Sequence, residues 1–149
     1  MRKGIAGLGI AIVLLLVAAG CGGGSSTISQ QEYEHELELV CNKGLQARED
    51  AFREITQEYE ELSEAEATAQ VQNENLLKLI DLYQETTEEI DEIGVPEGNE
   101  KKAEELVEER EVATNKVKAD PAGTRPRFSQ IFEKSSQLAK SFGAQACVV

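Results

Sequence analysis

The sequence predicts an all-α fold, an antiparallel four-helix bundle with a three-helix bundle as the alternative. Three observations point there. From Ser29 onward the chain is rich in Glu, Ala, Leu, Gln and Lys, all good helix formers. Its apolar residues recur at steps of three and four, the period of one helix face. Gly and Pro are confined to a few places, where they act as punctuation.

The first helix is expected from Ser29 to about Leu62. Tyr33, Leu37, Cys41, Leu45, Phe52, Ile55, Tyr59 and Leu62 share its inner face, with Gly44 as a local weak point. After Gly44, neither Gly nor Pro occurs before Gly94, so a single unbroken helix competes with this reading. That helix would hold about 60 residues and be about 90 Å long, far beyond a small domain. A break is therefore expected near Ser63, where Ser63-Glu64-Ala65-Glu66 fits a capping box.

The second helix follows from Glu64 to Ile93, with Leu76, Ile80, Tyr83, Thr87 and Ile90 inward and Leu77 and Leu79 widening the face. Gly94-Val95-Pro96 ends it. The third runs from Asn99 to Lys118 on Ala103, Leu106, Val107, Ala113 and Val117. Having few large apolar residues, it is expected to be the most exposed. Asp120 to Pro126 reads as a two-proline loop. The fourth helix, Arg127 to Phe142, turns Phe128, Ile131, Phe132, Leu138, Ala139 and Phe142 inward and stops at Gly143. All these stripes are read as core.

The chain begins differently. Met1-Arg2-Lys3 is positive, and Ile5 to Ala19 is an uncharged apolar run leading to Gly20 and Cys21. This is the layout of a secretory signal. The run is shorter than the roughly 18–20 residues that a spanning helix needs. Val17-Ala18-Ala19-Gly20-Cys21 resembles the lipobox of bacterial lipoproteins. Ala19 and Gly20 match the small residues before the cut, and Cys21 matches the lipidated residue. Ala18 departs mildly, since Leu is commonest there. The resemblance covers about the first 25 residues. It implies cleavage before Cys21, diacylglyceryl on its thiol and further acylation of the new amino terminus. Residues 1–20 would be signal peptide, 21–28 lipidated Cys and Gly/Ser tether, and 29–149 the helical domain. Several acyl chains hold a protein stably to a bilayer where one does not. The tether's r.m.s. reach is roughly 15 Å.

Removing Cys21 leaves Cys41 and Cys147, an even remainder that reads as a disulfide in an exported chain. It would tie the tail to the first helix. No C-x-x-C is present to suggest redox work.

The formal net charge is −13, and it opposes a nucleic-acid role because phosphates need a basic face. The charge is segregated. Residues 30–111 carry 7 basic and 26 acidic groups, net −19, while residues 112–149 are net +4. Either the basic segment packs on acidic neighbours, the favoured account, or it faces an anionic partner.

Candidate chemistry is sparse. Glu32-x-x-His35 has the spacing of di-iron bundle ligands, but such sites need two motifs and the chain has one His. No EF-hand loop, nucleophile elbow, zinc-protease motif or phosphate loop is present, and Ser135 and Ser136 have no His nearby in sequence. No catalytic, cofactor-binding or metal-binding residue is assigned. The expectation is a non-enzymatic, lipid-anchored extracytoplasmic module of the cell envelope. It would hold membrane lipid through Cys21 and contact an envelope protein through a helical face. The alternative is a lipoprotein that binds a small apolar ligand between its helices.

Overall fold

A computed structural model describes residues 27–63 and 67–149. The expected signal peptide, Cys21 and residues 22–26 lie outside the described residues, as do Glu64, Ala65 and Glu66 of the expected capping box. The described chain is mostly helical, an all-α fold apart from one short parallel pairing. The elements are β1 (Thr27–Ile28), α1 (Gln30–Glu61), α2 (Ala69–Asp91), β2 (Val95–Pro96), α3 (Glu100–Ala119), α4 (Pro121–Thr124), α5 (Phe128–Ile131) and α6 (Glu133–Ser141). Single 3₁₀ turns occupy Arg125–Arg127 and Gln145–Cys147.

Local chemistry sets the ends. Ser29 caps α1 by accepting from the Glu32 backbone N–H at 3.2 Å. The break before α2 is present, but Thr68 rather than Ser63 is the cap, accepting from the Val71 N–H. The second helix therefore starts five residues later than the Ser63 box suggests. Gly94 and Gly143 leave α2 and α6 at φ of 90° and 82°, a backbone region that glycine enters without steric cost.

Two expectations change. Asp120-Pro121 opens a helical turn instead of a loop: the Asp120 carboxylate accepts from the Gly123 N–H at 2.9 Å, and Pro121 sits where its missing N–H costs nothing. The expected single helix 127–142 is broken at Phe132, where the backbone leaves helical geometry (φ −93°, ψ 3°) and buries the ring completely. The last two residues of the expected tether, Thr27 and Ile28, pair in parallel with Val95 and Pro96, and the Glu97 N–H donates to the Ile28 carbonyl at 2.9 Å.

Neighbouring helices run antiparallel. Across α1 and α2, Lys43 meets Glu89, Gly44 faces Thr86, Glu58 meets Lys78 and Tyr59 bonds Gln72. Across α2 and α3, Thr87 takes a bond from Arg110, and Asp81 pairs with Lys118. Lys134 of α6 reaches Glu105 and Glu109 of α3, both at 2.7 Å.

The third helix is not the exposed one. Small residues let α3 sit between α2 and α6, and Ala103, Leu106, Arg110, Ala113, Thr114 and Val117 are all buried. Gly44 has a structural reason as well. A Cβ there would lie 2.3 Å from Thr86 Oγ1, so glycine lets α1 and α2 approach closely.

The core has two clusters. One gathers Tyr33, Leu37, Cys41, Ile90, Leu106, Phe142 and Cys147 around the disulfide. The other gathers Ile80, Ala113, Val117 and Phe132. Tyr33 packs edge-on to Phe142 at 5.0 Å in the first, and Phe132 lies 5.1 Å from Tyr83 and 4.9 Å from Phe128 in the second.

Candidate functional site

The inner face of α1 does not stay inside. Its first turns bury Tyr33, Leu37 and Cys41, whereas Phe52, on the same face, is 61 % exposed. Past Arg48, α1 runs beside α2. The two helices leave an open apolar groove, lined near its inner end by Leu45, Leu76, Leu79, Tyr83 and Phe128. Beyond Phe52 the groove continues over Ile55 and Tyr59. Glu49 and Glu60 stand along the α1 wall, and Arg125, bonded to the Gln72 side chain, stands on the other.

Beneath the inner end lie two buried arginines that the sequence reading missed. Arg48, 7 % exposed, stacks its guanidinium 4.2 Å over the Tyr83 ring and donates from Nη2 to the Ala146 carbonyl at 3.4 Å. Arg110, fully buried, donates from Nε to Thr87 Oγ1 at 3.1 Å and from Nη1 to the Cys147 carbonyl at 3.4 Å. Among the described residues neither forms an ion pair, and Arg48 Nη1, Arg110 Nη2 and Thr114 Oγ1 have no hydrogen-bond partner. Burial, reinforced by the neighbouring Arg48 charge, pulls Arg110 down to about 10, and burial lowers Arg48 too. Both stay cationic at neutral pH. Buried charge without a counterion costs several kcal/mol. Stacking on an aromatic face returns about 0.5–2 kcal/mol. The signal for both was in the apolar stripes: Arg48 fills the slot between Leu45 and Phe52, and Arg110 fills the slot between Leu106 and Ala113.

The carbonyls that receive these arginines belong to the tail. Cys41 and Cys147 are joined in a disulfide with Cα atoms 4.9 Å apart, and the Val149 N–H donates to Ser136 Oγ at 3.1 Å. The bond lies in the packed core cluster with Tyr33, Leu37 and Phe142.

The remaining sequence candidates are not brought together. Glu32 and His35 are exposed on α1. Ser135 and Ser136 are buried, and Ser135 Oγ donates to the Phe132 carbonyl at 3.0 Å. Among the described residues no group of three or more His, Cys, Asp or Glu is placed to hold a metal, and no helix is long and apolar enough to cross a membrane. Within the basic segment, Lys118 and Lys134 face acidic partners on neighbouring helices, in line with the packing account of the charge segregation. Hydrogen bonds that Lys134 donates to the Glu105 and Glu109 carboxylates hold its ammonium well above its ordinary range. No protein family, curated protein or solved structure matches this chain.

Proposed function

We propose that this protein is a lipid-anchored, non-enzymatic module of the bacterial cell envelope that docks another envelope protein in the groove between α1 and α2. In this reading its helices form an antiparallel four-helix bundle, Cys21 carries the acyl anchor, and the domain stands outside the cytoplasm. One observation carries the docking role: a continuous apolar face, centred on Phe52 at 61 % exposure, left uncovered beside a packed core. The lipobox residues support the anchor. The Cys41–Cys147 bond supports an oxidising compartment.

A small apolar ligand is the second reading, favoured by the room in the groove, about 380 Å³ at the inner end and about 410 Å³ further out. Small-molecule sites usually enclose most of the ligand surface, however, and both stretches are open along their length. That shape suits an elongated partner better.

Two measurements test the reading. Mass spectrometry of the membrane fraction should find Cys21 as a diacylated amino terminus, and an unmodified internal Cys21 would end the anchor claim. A photo-crosslinking residue at position 52 should give a discrete protein adduct in intact cells. The same residue at Leu39 or Val112, exposed apolar positions away from the groove, should not. Equal labelling at all three positions, or none, would end the docking claim.

A further inference from the structure

We propose, resting on the docking role of the groove, that its occupant is a basic amphipathic α-helix. The first argument is backbone accounting. The groove lies between two helices whose main-chain groups are satisfied internally, so it offers no sheet edge to a guest. An extended peptide laid on Leu76, Leu79 and Phe52 would bury its own N–H and C=O groups against apolar side chains without partners. A helix brings its hydrogen bonds with it and presents side chains only.

Length and charge agree. Leu45 to Tyr59 spans about 21 Å at 1.5 Å per residue, close to four turns of a guest helix. Glu49 and Glu60, both exposed, sit on the same wall about three turns apart. Glu60 forms no ion pair among the described residues. Arg48 is buried on Tyr83 and Arg125 stands on the opposite side, bonded to Gln72, so the exposed charges lining the α1 wall are Glu49 and Glu60. A guest with an apolar ridge and Lys or Arg flanking it meets this wall favourably, and an acidic guest is repelled. The same charge disfavours an anionic lipid surface as the occupant.

The test uses the full chain in neutral phosphatidylcholine vesicles and two fluorescent helical peptides of about 15 residues. Both carry one apolar ridge, flanked by Lys in one and by Glu in the other, and anisotropy reads binding. The Lys-flanked peptide should bind at least about tenfold tighter, and the gap should shrink as salt rises from about 50 to about 500 mM. Phe52→Glu should remove binding, and the double change Glu49→Lys with Glu60→Lys should reverse the preference. Circular dichroism checks that each variant is folded. Equal affinity for the two peptides, or no binding of either, would overturn the inference. So would Phe52-dependent binding of the chain to phosphatidylglycerol vesicles at strength equal to the Lys-flanked peptide, since the occupant would then be a membrane. The docking reading fails separately, through the absence of a position-52 adduct in cells.

Discussion

The two halves of α1 carry the same apolar rhythm and meet different fates. In the first half, Tyr33, Leu37 and Cys41 are sealed by α3, α6 and the disulfide-bonded tail. In the second, Phe52, Ile55 and Tyr59 line an open groove with Leu76 and Leu79 of α2. The border is marked by Gly44, where α2 approaches closely, and by Arg48, where a cation occupies the apolar stripe. Periodicity sets which face a helix shows its partner. It does not determine whether that partner is in the same chain.

Perturbing the sealed half should give the largest effects. Replacing both Cys41 and Cys147 by Ser frees a loop of 106 positions and should lower unfolding free energy by up to about 4–5 kcal/mol in urea titrations. The tail carbonyls over Arg48 and Arg110 would loosen with it, whereas peptide binding to the groove should persist if the halves are independent. Leu37→Ala should cost about 2–5 kcal/mol by the same measurement, because Leu37 is fully buried.

At the border the effects should be smaller. Gly44→Ala gains helix propensity of about 1 kcal/mol but drives a methyl into Thr86, so a net loss of about 1–3 kcal/mol is expected. Adding Thr86→Ala should recover part of it, and additive losses in the double variant would mean that the close approach is not the cause.

Tyr33→Phe sharpens the sealed half from the other direction. The Tyr33 hydroxyl is buried without a partner among the described residues, so removing it should stabilise by about 1 kcal/mol at neutral pH. Burial pushes this phenol from 10.0 up to about 12. A folded value above the unfolded one means that the folded state holds the proton longer. Wild-type stability should therefore be unaffected by Tyr33 ionisation below pH 10 and should fall as pH rises from about 10 to about 12, by roughly 2–3 kcal/mol. Burial of Arg110 acts with the opposite sign in the same range, but it is common to both proteins and cancels in their difference. Identical alkaline profiles for wild type and Tyr33→Phe would contradict this.

Much of this was legible in the residues. The helical class, α1 almost to the residue, and the α2 exit at Gly94 follow from period, caps and breakers. The cap of α2 was misread because Ser63-x-x-Glu66 and Thr68 both satisfy local rules, and local rules do not rank them. Asp120-Pro121 fits a loop and a helix start alike, since Asp can cap the turn that Pro opens. The exposure of α3 was misjudged because small residues can mean close packing as well as weak packing. The groove shared the stripe of the core and so could not be told from it. Arg48, which interrupts the α1 stripe, is the visible sign that this stripe changes role.

Urea unfolding of Phe52→Glu, set beside Leu37→Ala, tests the division of α1 most directly. If Phe52 belongs to a surface awaiting a partner, a charge there should leave unfolding free energy within about 0.5 kcal/mol of wild type. A loss of several kcal/mol, as at Leu37, would make Phe52 part of the core and remove the groove as a docking site.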